Sequence, residues 1–153
     1  MSLARKLALI KRAASIALLL CFLLPLSRCD GHVDPGTGVQ GADTVTTGFS
    51  LLLDFAHGLA ASPFESILCM LAVIAVFMGP LCTLALRKGW ELLLCLCGAV
   101  LAWHALGAWV FVMGHPMPGG WLACGCWCAI ALVSLVELVA YGRRRFAPSA
   151  RTG

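Results

Sequence analysis

The sequence predicts an all-α, helical integral membrane protein: an antiparallel bundle of three transmembrane helices, plus an N-terminal signal or anchor helix and a short interfacial helix. Three observations lead there. Of 153 residues, 61% are hydrophobic and 12% charged, with a mean hydropathy of +0.94. Soluble domains are about half apolar and about a quarter charged, and a chain this small has no aqueous core large enough for the excess. Three apolar runs, at about 63–86, 90–113 and 121–141, reach the ~20 residues a helix needs to cross a bilayer. Finally, the charged residues collect at the ends of these runs, as topology signals do.

The N-terminal segment, residues 1–28, carries Arg5, Lys6, Lys11 and Arg12 ahead of an apolar stretch, 13–26. A basic region followed by a short apolar core describes a secretory signal. A retained anchor is the other reading of the same residues, with the flanking side chains snorkelling to the interface. Leu26-Ser27-Arg28-Cys29 resembles the signal box of bacterial lipoproteins, in which the Cys is lipidated and becomes the new N-terminus. Arg28 stands where that family has a small residue. The resemblance implies lipidation at Cys29, and Asp30 after it resembles the signal that retains such proteins in the inner membrane. Three fates therefore stand open: an uncut anchor, a lipoprotein cut before Cys29, or ordinary cleavage before His32.

Residues 29–61 form an extracytoplasmic loop region. Its polar part, 30–48, holds Asp34-Pro35-Gly36 and further glycines, all turn formers, and shows neither helix nor strand period. Residues 49–61 differ, because Phe49, Leu51, Leu52, Leu53, Phe55 and Leu59 surround a polar stripe of Ser50, Asp54 and His57. Thirteen residues cannot span, so they predict a helix lying at the interface. Ser62-Pro63-Phe64-Glu65 then reads as a helix start, with Ser62 as cap, Pro63 in the first turn and Glu65 completing a capping box.

The bundle proper occupies 62–142. The first span meets Arg87-Lys88, and Gly79-Pro80 predicts a kink near its far end. The second and third flank the loop 114–120, and Arg143-Arg144-Arg145 opens a basic tail, 143–153. With the N-terminus inside, ten of the eleven basic residues face the cytoplasm and only Arg28 lies outside, which predicts a multi-pass protein of the bacterial inner membrane with a cytoplasmic C-terminus. Trp90, Trp109, Trp121 and Tyr141 fall near span ends, as an aromatic belt requires. Small residues let helices approach closely in lipid. Gly98, Ala102 and Ala105 on the second span, with Gly125/Ala129 and Cys124/Cys128 on the third, predict a tight hairpin of these two.

Nine cysteines are the most visible anomaly. In Cys124-x-Cys126-x-Cys128 neighbours two apart point roughly 200° apart on a helix, so only Cys124 and Cys128 share a face. Buried thiols in apolar surroundings act as small hydrophobes, and the expected role is packing. A soft-metal site is the alternative. Counting ~1.5 Å per residue, Cys69 and Cys128 fall at roughly 9–11 Å depth and His104 at roughly 13 Å. With Met70, His115 and Met117 nearby, such a set would suit Cu(I). His104 alone, near mid-membrane, is a functional candidate, with a hydrogen bond to a neighbouring helix as its structural role. Glu137 lies near the inner end, within reach of Arg143–Arg145. Ser50, Asp54 and His57 form a row on one short helix, without a pocket or oxyanion donors.

These readings predict a small non-enzymatic inner-membrane protein without cofactor or catalytic residues, a structural or accessory subunit. Its partners are the lipid bilayer and other membrane subunits or its own copies, with no nucleic acid. A small transporter or copper-handling protein using Cys69, Cys128 and His104 is the alternative.

Overall fold

The computed structural model describes residues 3–30, 42–112 and 114–146. The turn at Asp34-Pro35-Gly36, the cut before His32 and the tail with Arg151 lie outside them. The described chain is mostly helical, with three helices long and apolar enough to cross a membrane. It also contains a small three-stranded sheet, which the all-α expectation lacks.

Helix α1 (Leu3–Cys21) carries one buried stripe, Lys11, Ala14, Ser15, Leu18 and Cys21, at the three- and four-residue spacing of a single helix face. Three turn-type hydrogen bonds, from the N–H groups of Phe22, Leu23 and Leu24, unwind its end. Pro25 then opens strand β1 (Pro25–Cys29), where its missing N–H is tolerated.

β1 is the middle strand. It pairs antiparallel with β2 (Thr44–Thr47) on one edge and with β3 (His115–Pro116) on the other. The expectation of an irregular polar region from 30 to 48 is corrected over Thr44–Thr47. These strands are too short to show a period, and their partners lie far along the chain. The local signal was the β-branched run Thr-Val-Thr-Thr.

Helix α2 (Gly48–His57) starts on a reciprocal cap. Thr47 N–H donates to the Ser50 hydroxyl and Ser50 N–H to the Thr47 hydroxyl, both at 2.9 Å. The helix continues as a 3₁₀ turn, Gly58–Ala60, close to the expected 49–61. Gly48 is required: a Cβ there would lie 2.7 Å from the Phe22 ring and 3.1 Å from Phe77. These rings pack edge-on, 5.7 Å between centroids.

Helix α3 (Pro63–Thr83) begins where expected, but Ser62 makes no side-chain cap. The chain leaves the 3₁₀ turn with Ser62 at φ −142°, ψ 80°, outside the extended geometry from which a cap hydroxyl reaches the first turn. Only its carbonyl serves α3, accepting from Ser66 N–H at 3.0 Å. α3 runs on through Pro80, which is buried. Proline has no N–H for the carbonyl four residues back, here that of Val76. The indole N–H of Trp127 donates to that carbonyl at 3.1 Å.

Helix α4 (Lys88–Leu106) passes into a π-helical stretch, Gly107–Val112. Helix α5 (Pro118–Phe146) is the last element of the described residues. α5 packs against both α1 and α4, and α3 against α4, α1 and α2. The core they enclose is built from Leu18, Cys21, Val73, Phe77, Ala102, Trp127 and Ile130, among others.

The α4–α5 contact differs from the small-on-small hairpin expected. Ala102 is fully buried, and a Cβ on Gly98 would lie 2.9 Å from the Trp127 ring. The α5 residue opposite Gly98 is therefore Trp127, with Cys124 and Cys128 beside it along a groove shared with Ala102 and Leu106 of α4, whereas Gly125 faces outward. Trp127 fills the space that glycine leaves on α4, a large residue seated on a small one.

Candidate functional site

The densest concentration of polar chemistry inside the fold lies where α1, α4 and α5 meet. Lys11 on α1 is 1% exposed. Its ammonium donates to the Glu91 carboxylate at 2.7 Å and stands 3.8 Å from that of Glu137 on α5. Lys88, at the start of α4, lies 2.8 Å from Glu137 and 3.3 Å from Glu91. Two ammoniums and two carboxylates thus form one neutral, alternating cluster. Both carboxylates are nearly buried, while Lys88 is half exposed.

Each position follows from local structure. Glu91 occupies the first turn of α4, where the helix dipole favours an anion. Lys88 sits three residues before it on the same face. Lys11 leads the buried stripe of α1, so it points inward with Ala14 and Leu18. Ser15 donates to the Lys11 carbonyl at 2.8 Å. Ser134, one turn before Glu137, is fully buried, and its hydroxyl has no hydrogen-bond partner among the described residues.

The cluster is closed on itself. Every charge has an opposite neighbour, and the buried residues beyond it on α1 and α4 are mainly apolar, including Leu18, Leu92 and Ala102. An isolated charge here would be very costly, and pairing is what makes burial tolerable. Such an arrangement suits holding three helices together better than conducting ions.

Sequence reasoning placed Lys11 among the topology charges and Glu137 beside the arginine run. In the structure Glu137 pairs instead with Lys88 and Lys11. The signal that could have found the cluster was Glu91 and Glu137, two acids inside apolar runs, each demanding a cation.

Further polar contacts lie at the sheet end. The Arg28 guanidinium pairs with Asp43, which holds its pKa above the usual value, and His115 lies 3.2 Å from Asp30. The Ser27 hydroxyl donates to the Trp109 carbonyl at 2.9 Å, within the π-helical stretch. Cys29 ends β1, facing Thr44 across the ladder.

The proposed soft-metal residues are distributed differently from the expectation. Cys69 is half-buried on α3 beside Leu68 and Ala72. Cys128 is exposed and borders a shallow apolar groove of about 270 Å³ with Cys124, Trp103 and Phe111. His104 is exposed on α4. Among the described residues no three His, Cys, Asp or Glu side chains converge to hold a metal ion. Asp54 and His57 are exposed on α2, and Ser50 is spent on the cap.

No family model matches this sequence, and comparisons with curated proteins and with solved structures find no match either.

Proposed function

We propose that the chain is a small, non-enzymatic integral membrane protein of the bacterial inner membrane, a structural or accessory subunit that associates through its helices. One observation carries this reading. Only 33%, 28% and 33% of the most apolar windows of the three long helices are buried inside the molecule. Phe64, Leu68, Leu71, Leu93, Val100 and Leu132 remain exposed. Surfaces of this extent need lipid or apolar helices of other subunits around them.

Dimensions support the same reading. From Glu91 to Trp109, α4 and its π-helical end rise about 27 Å at ~1.5 Å per residue, close to the ~30 Å of a bilayer core. The charge cluster then lies at one boundary and the Ser27–Trp109 contact at the other. The helices form an antiparallel bundle, with Arg5, Lys6, Arg12, Arg87, Lys88 and Arg143 on the cytoplasmic side together with the C-terminus.

The experiment is native mass spectrometry of protein extracted in mild detergent, with the membrane fraction washed in alkaline carbonate first. The expected result is retention in the washed membrane and extraction as an oligomer or with a co-purifying membrane protein. Release by carbonate, or a lone monomer in every detergent tried, contradicts the proposal.

A further inference from the structure

Residues 3–29 have the sequence of a leader, yet the fold treats them as an internal part. We infer that the α1–β1 segment is retained in the mature protein, uncut before Cys29 or before His32, and that Cys29 is consequently not a lipid-bearing N-terminus. The inference stands on packing and is independent of whether the protein serves as a subunit.

Two unrelated observations, one at each end of the segment, carry it. At the charged end, Lys11 supplies the ammonium between Glu91 and Glu137. Without α1 these nearly buried carboxylates would share only the half-exposed Lys88, and one would be left uncompensated. A leader destined for removal needs basic residues and an apolar core; it has no need of a buried charge matched to two later helices.

At the sheet end, the α4–α5 connection is shaped to receive β1. A Cβ on Gly114 would lie 2.5 Å from the Arg28 carbonyl oxygen, one on Gly119 2.4 Å from that of Pro25, and one on Gly120 2.5 Å from that of Leu26. Only residues without a Cβ allow the backbones to approach so closely. Met117 N–H donates to the Leu26 carbonyl at 3.0 Å, and the Ser27 hydroxyl to that of Trp109. Removing residues up to 28 or 31 would take away all or nearly all of the middle strand, leaving β2 and β3 without a shared neighbour. Around the Arg28–Cys29 bond, moreover, Arg28 is paired with both β2 and β3, so neither edge of the strand is open to a protease.

The test is intact mass determination of the full chain, expressed with a C-terminal tag in a host possessing both signal peptidases and the lipidating enzyme. Hydrogen exchange on the same preparation provides the second readout. Expected are a mass that includes α1 and protection of residues 11–27 within about tenfold of that of 123–134 in α5. A mass beginning at Cys29 with added acyl chains, or beginning at His32, overturns the inference. So does an uncut chain whose residues 11–27 exchange like free peptide, because retention would then owe nothing to docking.

Discussion

The ammonium of Lys11 meets the carboxylate of Glu91 at 2.7 Å across 80 residues of sequence. This pair joins the first helix of the chain to the fourth, and Glu137 and Lys88 extend it to the fifth. The helices around it have little other polar contact. If the helices lie in lipid, as proposed, their apolar surfaces gain little by facing one another, and a buried pair of this kind would specify which helices are neighbours and at what height.

The Trp127–Gly98 contact should be the most sensitive packing point between α4 and α5. Gly98→Leu must displace a ring that would already lie 2.9 Å from a Cβ, and it also threatens the indole bond to the Val76 carbonyl. Overpacking of this kind costs about 1–3 kcal/mol. Gly125→Ala, with nothing within 4 Å of the added Cβ, should be neutral or stabilising by up to ~1 kcal/mol through helix propensity. Thermal unfolding in one detergent separates the two, and equal effects would refute the assignment of these faces.

Two buried serines should respond in opposite directions. Ser27→Ala loses the bond to the Trp109 carbonyl and should cost about 1 kcal/mol or more, because it leaves a buried acceptor unpaired. Ser134→Ala removes a hydroxyl without a partner among the described residues, so stability should hold or rise. A drop of more than ~1 kcal/mol for Ser134→Ala would mean that its hydroxyl is satisfied after all.

Thiol labelling reads the cysteines by position. Cys21 and Cys95 are buried, whereas Cys82, Cys97 and Cys128 are exposed along α3, α4 and α5. In intact membranes a charged maleimide should leave all five unmodified, because lipid covers the exposed ones. In detergent, a small uncharged maleimide should modify Cys82, Cys97 and Cys128 at least tenfold faster than Cys21 or Cys95. Rapid labelling of Cys128 by the charged reagent in membranes would place an aqueous path beside it.

Much of the helical frame was legible in the sequence because each long helix is a long apolar run with punctuated ends. Pro63, Arg87-Lys88 and the glycines of 114–120 mark boundaries that the structure follows within a few residues. The sheet was not legible, since Pro25–Cys29, Thr44–Thr47 and His115–Pro116 become strands only by meeting one another. The charge cluster was only half visible. Glu91 and Glu137 stand out as acids in apolar surroundings, but Lys11 is disguised by the basic residues that precede any leader-like segment. Nor does composition reveal that Gly98 on α4 accepts Trp127, while Gly125 on α5, in an equally small-residue context, faces outward. Which small residue opposes a large one depends on how the helices are rotated, and the buried charges and the Trp127–Val76 bond restrain that rotation.

The central claim, that α1 is docked to the later helices through a specific buried pair, is tested most directly by a charge-reversal cycle in the full chain. Lys11→Glu, Glu91→Lys and the double reversal are each unfolded in the same detergent, with Lys88 and Glu137 left in place. Each single reversal should cost about 3–5 kcal/mol, as breaking a buried pair does. The double reversal restores neutrality and the opposite pair between positions 11 and 91, but it sets like charges beside Glu137 and Lys88, so recovery should be partial, with a coupling energy of about 2 kcal/mol, within the range for residues in contact. Losses that simply add, with no recovery in the double variant, would contradict the account.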